Sequence, residues 1–451
     1  MGMRIIEFNE KSREEINYYI KRGERLWGQG EEKTAARSEE IFGRPVTQNE
    51  AVQIILRDIQ KNGDEGLCRW TAKIDGNDLS PSNLVCTDAE FKEAYQRVSQ
   101  SFLAALSLAK DRIFNFHRRQ VQNSWTIWEE NGISLGYRNV PLERVGLYVP
   151  GGTGGNTPLV STVLMNAVPA VVAGVKEIIM CTPPGRDGCV SPYLLVAACE
   201  VGVKKVIKAG GAQAIAAMAF GTESVPKVDK IVGPGNIFVT LAKKQVFGLV
   251  GLDMLAGPSE IVVIADRKAW PAYVAADLLS QAEHDVQAGC LLFTDDMNLA
   301  RNVQKEIEIQ LSQLPRAEIA RRAIETNGAI IVAPSIAQCI ELANETAPEH
   351  LELYLEEADQ YVAKIKHAGA VFIGGFSTEP IGDYVAGTNH VLPTNGTARF
   401  SSGLNVDDFI KKISIINMSK EGFREIAAAA EELARIEGLE AHARAIGIRR
   451  K

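Results

Sequence analysis

The sequence predicts an α/β protein with two parallel-sheet lobes, a helical N-terminal region and a C-terminal tail. Three observations carry this expectation. The 451 residues are too many for a single core and require two or three domains. From Arg144 onward short apolar runs alternate with helical segments, the rhythm of βαβ units with right-handed crossovers. Three of those runs end in glycine-rich turns, where an open parallel sheet places a ligand crevice. The lobes are in this sense Rossmann-like.

Residues from about Glu10 to Phe116 are mostly helical and amphipathic in pattern, and Thr47-Gln48-Asn49-Glu50 before Ala51-Val52 reads as a capping box. His117, set among Phe114, Phe116, Arg118 and Arg119, reads as structural. Strands follow at 145–149, 177–180, 205–208 and 230–232, with helices at 159–172, 192–200, 213–220 and 237–247 between and after them. Their turns are Pro150 to Gly155, Ala209 to Gln213 and Gly233 to Asn236, in which glycine lets backbone amides approach a phosphate at a helix start. None spells GxGxxG with an acidic residue about twenty positions on. A second set of strands is expected at 261–265, 290–293, 329–332 and 370–373. Beyond Phe400 lies a helical tail with strand-like pieces such as Ile413 to Ile416, and Ser419 caps a helix from Lys420 to Ile436 that Gly438 ends.

Composition narrows the function. Hydrophobic content of 46% and charged content of 23% are those of a folded globular chain, and 49 basic against 56 acidic side chains give −7. That charge offers no footprint for nucleic acid or an anionic membrane, so a small molecule is the expected partner. The seven cysteines are scattered and never form CxxC, which fits a reducing cytoplasm and excludes a zinc-thiolate cluster from spacing alone. The charged N-terminus does not read as a signal peptide. Thr157 to Val175 is uncharged, but its two prolines and polar residues suit a helix buried against a sheet better than a membrane span.

Polar chemistry gathers in a few places. The segment from Trp270 to Ser280 has helical apolar spacing with Pro271 in the first turn, so Gln281 and His284 stand at i and i+3. That makes either a metal half-site or a polar helix end. Glu349 and His350, after Pro348, form either an acid/base pair or a surface turn. The stretch from Gly382 to Thr394 reads as a long loop dense in Gly, Asp, Asn and His, typical of binding loops. His442, in a charged tail, is by default solvated.

The strings GLYVPGG, VLMNAVPAVVAGVKEI, AGGAQAIAA, VGPGN, LAGPSE, SQAEHD, APEHLEL, GDYVAGTNHVLPT and EGLEAH, in this order from about Arg144 to the C-terminus, resemble histidinol dehydrogenase. The N-terminal third resembles that family only diffusely. The resemblance implies zinc-dependent oxidation of L-histidinol to L-histidine in two NAD-dependent steps through a bound aldehyde. It implies zinc ligands Gln281, His284, Asp383 and His442, with His442 crossing from the other subunit of a homodimer. Two imidazoles, a carboxylate and an amide oxygen make a site that suits zinc. It implies Glu349 and His350 as the catalytic pair, with His350 taking the hydroxyl proton and Glu349 activating the water that hydrates the aldehyde. Ser259, Glu437 and His390 match substrate contacts beside the metal set and His350, and Tyr148, Gln213 and Asn236 match NAD contacts. The implied division is an arm at 1–20, a first α/β domain at 21–139 and 256–394 with the catalytic and metal site, an NAD-binding domain at 140–255, and a swapped dimerisation tail at 395–451. Two places differ from the family's usual sequence, Gly154-Gly155-Asn156-Thr157-Pro158 and Ser401-Ser402-Gly403-Leu404-Asn405.

Two other readings compete. A related zinc and NAD dehydrogenase of another small polar alcohol, such as a sulfonated diol, would lose Glu437 and alter the Asn389-His390 loop; both are intact. A zinc hydrolase using Glu349 would leave the glycine-rich lobe unemployed and shows no HExxH.

Overall fold

Glu260–Ala265 and Gly289–Thr294 are buried at every position, as central strands of a parallel sheet covered on both faces must be. The computed structural model describes residues 2–26, 35–151 and 157–450. In chain order its strands are β1 (Arg4–Glu7), β2 (Trp125–Trp128), β3 (Ile133–Pro141), β4 (Arg144–Tyr148), β5 (Glu177–Thr182), β6 (Lys205–Lys208) and β7 (Lys230–Val232). Then follow β8 (Gly251–Leu252), β9 (Glu260–Ala265), β10 (Gly289–Thr294), β11 (Gly328–Val332), β12 (His350–Tyr354), β13 (Ala370–Ile373) and β14 (Ile410–Met418).

They build three sheets. The first is parallel, in the order β1-β11-β10-β9-β12-β13, and the second is parallel, in the order β6-β5-β4-β7-β8. The third, β14-β3-β2, is antiparallel. Helices Pro271–Ala282, Met297–Leu311 and Ala317–Asn327 pack on one face of the first sheet, and Arg13–Ile20 and Ile336–Thr346 on the other.

Four features differ from the sequence reading. Residues 1–20, read as an arm, supply edge strand β1 and a core helix that buries Ile16, Tyr19 and Ile20. A four-residue strand is too short to show a period. Helices Gln48–Asp75 and Gln100–His117 cover the two faces of the second sheet, whereas 21–139 was placed with the first lobe. Their apolar faces match the glycine- and alanine-rich surface of that sheet's own helices, and helical periodicity cannot say which sheet it serves. Strand β12 opens where a proline-fixed turn was expected, because His350-Leu351-Glu352-Leu353 alternates polar and apolar residues instead of forming an apolar run. The antiparallel sheet was read only through its strand β14.

The expected capping box at Thr47/Glu50 and the Ser419 cap are present, and Pro271 stands at a helix start. Most of the glycine-rich turn after β4, including Gly154 to Asn156 of the atypical segment, lies outside the described residues. Among the described residues no helix is long and apolar enough to cross a membrane, and all seven cysteines are free.

Candidate active site

Parallel strands leave the first sheet with two unlike edges, and the polar residues gather at the amino edge. His350 opens β12 and Glu260 opens β9, its neighbour, while helix Pro271–Ala282 runs back from β9 to end at the same edge with Gln281 and His284. The crevice expected beyond carboxyl ends was read from the glycine-rich turns of the second lobe; in the first sheet the polar residues lie at the opposite end.

Glu260 organises His350 and Glu349 through its backbone. Its carbonyl oxygen lies 3.1 Å from His350 Nδ1, and its N–H donates to Glu349 Oε2 at 3.0 Å. A carbonyl only accepts, so Nδ1 carries the ring proton and Nε2 keeps its lone pair. Nε2 has no hydrogen-bond partner and lies 4.0 Å from Asp383 Oδ1. Burial, opposed by the hydrogen bond to the Glu260 carbonyl, pushes His350 down to about 3, so the ring is neutral. Burial, then the Glu260 carboxylate, raises Glu349 well above the usual carboxylate range.

Asp383 reaches this point from the stretch read as a loop. Its first five residues, Gly382–Ala386, form a single π-helical turn, a rare geometry found at functional sites. Asp383 also lies 3.8 Å from His390 Nδ1, which is 3.1 Å from the Asp383 carbonyl oxygen. On the other side Gln281 Nε2 and His284 Nδ1 are 3.1 Å apart, and the fully buried Gln281 leaves Oε1 without a donor. Ser259 precedes β9 at the same edge. The structure brings Gln281, His284, Asp383, Glu349, His350, His390 and Ser259 to one end of the first sheet.

Three participants went unnoticed in the sequence. Glu379 is 1% exposed, receives Ser280 Oγ at 3.3 Å, and presents a carboxyl oxygen within 4.8 Å of ligand atoms of His350 and Asp383. Burial, then Asp383, pushes it up to about 8, and burial raises Asp383 to about 6. Glu260 opens an otherwise apolar strand, and that lone charge was a readable signal. Arg22 gave none.

These donors fit a divalent cation. Two buried oxygens without partners, Gln281 Oε1 and Glu379 Oε1, lie among crowded carboxyls, and oxygen ligands together with imidazole nitrogen suit zinc. Glu437 and His442 are different. They sit exposed at the end of helix Lys420–Ile436 and in helix Glu440–Gly447, and the single chain brings neither to this cluster.

The residues expected to touch NAD lie at carboxyl ends of the second sheet. Tyr148 closes β4 and its buried hydroxyl accepts from Gly211 N–H at 3.0 Å. Gln213 donates to Asp75 at 3.0 Å, and Asn236 caps helix Ile237–Val246 by accepting from Phe238 and Val239 N–H. Gly233 is required in its turn. Its φ is +114°, and a Cβ there would collide with the Tyr148 carbonyl. The buried Asp253 fixes that turn, accepting from Gly233 N–H at 2.7 Å and pairing with Lys243. A cavity of about 210 Å³ lined by Gly151, Pro183 and Ser191 opens at the ends of β4 and β5. His117 is structural as expected, buried between Gln120 and Asn389.

A family model described as histidinol dehydrogenase matches residues 43–450. The chain is a member of the histidinol dehydrogenase family. It is 52% identical over 402 residues to a histidinol dehydrogenase of Halalkalibacterium halodurans, covering 89% of this chain and 94% of that one. It is 54% identical over 398 residues to that of Moorella thermoacetica, covering 88% and 93%. The crystal structure of histidinol dehydrogenase from Elizabethkingia anophelis superposes with a TM-score of 0.89 at 40% identity, covering 99% of this chain and 98% of that one. Like its family, the chain is an oxidoreductase.

Proposed function

We propose that this chain oxidises L-histidinol to L-histidine, by way of L-histidinal, as the closing steps of histidine biosynthesis. The observation that carries the reading is the neutral His350, held by Glu260 with Nε2 bare beside Asp383 and with Glu349 next to it. Gln281, His284, Asp383 and the partner subunit's His442 would hold one zinc ion, and Tyr148, Gln213 and Asn236 would border NAD. When bound, zinc orients the amino alcohol and lowers the pKa of nearby carboxyls, and NAD takes up hydride in each of the two steps.

The chain's own residues manage protons and position. His350 Nε2 accepts the hydroxyl proton of the alcohol, which a neutral buried imidazole does without first losing a proton. Glu349 accepts a proton from the water that hydrates the aldehyde, making a diol that is oxidised as an alcohol. The amino end of β12 keeps both groups on one rigid element, and burial excludes bulk water. Ser259, Glu437 and His390 are the remaining proposed substrate contacts.

A homodimer gives the exposed tail its place. Ile413, Ile415 and Ile416 on β14, with Trp125 and Trp128 on β2, leave an apolar sheet uncovered. Seven free cysteines suit a reducing cytoplasm. The test is direct: purified protein with L-histidinol, NAD and zinc should release two NADH per histidine. Turnover of another polar alcohol alone would give the chain to a different dehydrogenase, and no NADH from any alcohol would end the reading.

A further inference from the structure

The N-terminal segment ahead of the matched residues 43–450 reaches the amino edge of the first sheet. Arg22, in helix Arg22–Leu26, is 3% exposed. Its Nη1 donates to the carbonyls of Pro258 at 3.3 Å and Ser259 at 3.4 Å and to Glu260 Oε2 at 3.3 Å. Its Nη2 donates to the Gln287 carbonyl. The Arg22 and Glu260 side chains are 4% and 7% exposed, so the pair is desolvated. Close by, Arg25 donates to Asn327 Oδ1 at 2.9 Å, and Asn327 donates to the Val286 carbonyl at 3.4 Å. Two segments are therefore tied by one planar guanidinium: residues 258–260, which enter β9, and Gln287, three residues after His284.

The consequence follows from what Glu260 does with its backbone. Its carbonyl fixes the His350 ring and its N–H fixes the Glu349 carboxylate. A shift of the Glu260 backbone moves both groups at once, and misplacement of reacting groups by about 1 Å costs on the order of 10²-fold in rate. We propose that the Arg22–Glu260 pair is the positioning device of the catalytic pair, holding base and water-activating carboxylate in register for both half-reactions. This rests on the functional reading above. Arg22 touches no reacting atom. Only a guanidinium fork serves four acceptors in two segments, so lysine is no substitute.

The test measures NADH release from L-histidinol and, separately, from L-histidinal, in the full-length zinc-loaded enzyme. Arg22→Ala should lower kcat roughly 10- to 100-fold for both substrates together, with KM for L-histidinol changed less than about threefold and zinc content unchanged. Adding guanidinium chloride at tens of millimolar should restore part of that kcat, whereas Arg22→Lys should stay impaired. Glu260→Gln, which keeps the backbone and removes the pair, should lower both rates likewise. Kcat within twofold of wild type in both Arg22→Ala and Glu260→Gln would overturn the proposal. So would a loss confined to one half-reaction, or a loss that follows the melting temperature and that guanidinium does not relieve. Wild-type enzyme inactive on L-histidinol would instead overturn the functional reading, and the proposal with it.

Discussion

His350 Nδ1 lies 3.1 Å from the carbonyl oxygen of Glu260, and this contact decides which ring nitrogen faces the reaction. With Nδ1 as donor, Nε2 is the free base, 4.0 Å from Asp383 Oδ1. His350→Asn should therefore lower kcat for L-histidinol by roughly 10²- to 10⁴-fold, the usual worth of a positioned base. Zinc content should be retained, because His350 is outside the proposed ligand set. Steady-state rates with metal analysis check both halves.

In the proposed reaction Glu349 serves the second half. Glu349→Gln keeps an acceptor for the Glu260 N–H but cannot take a proton from water. The variant should release close to one NADH per L-histidinol consumed and accumulate aldehyde, trapped as its hydrazone. Two NADH at the wild-type rate would remove Glu349 from that role.

Asp277 and the buried Glu352 form a second carboxyl pair behind the site. Burial, opposed by a hydrogen bond from Glu352, pushes Asp277 up to about 6, and burial and then Asp277 raise Glu352 well above the usual range. A raised folded-state pKa means that the folded protein holds protons the unfolded chain has released. Their stabilising contribution is complete below about pH 4 and is lost as pH rises through the folded values. Asp277→Asn should thus gain stability relative to wild type between pH 4.5 and 8, on the order of 1–2 kcal/mol. Urea unfolding of metal-free protein at the two pH values measures it.

The tail should be shared between subunits. Light scattering should report a dimer. His442→Asn and His350→Asn should each be nearly inactive, yet mixing them under exchange conditions should restore activity toward about one quarter of wild type. Random pairing makes half the dimers mixed, and each mixed dimer has one site free of both substitutions. No recovery after verified exchange would place both residues in one subunit's site.

How much of this was legible in the sequence depended on the kind of signal. Buried strands such as Ile261 to Ala265 announce themselves as apolar runs, and helix Pro271–Ala282 shows both its period and its N1 proline. Strand β12 was hidden because His350 and Glu352 alternate with leucines, so the catalytic segment read as a turn. The proposed roles of Gln281, His284 and Asp383 come from family motifs. That they meet at the amino edge was not, since it depends on which way a helix runs back across its sheet. Arg22 could not be found by any local pattern, because its partners lie more than 230 residues away.

Diffraction from zinc-loaded crystals, collected at the zinc absorption edge, decides whether two subunits build one metal site between them. The predicted result is one zinc peak per subunit, about 2.0–2.2 Å from donor atoms of Gln281, His284, Asp383 and the partner subunit's His442, with His350 Nε2 facing the bound L-histidinol hydroxyl. A zinc peak elsewhere, or His442 left in solvent while zinc is bound, would contradict it.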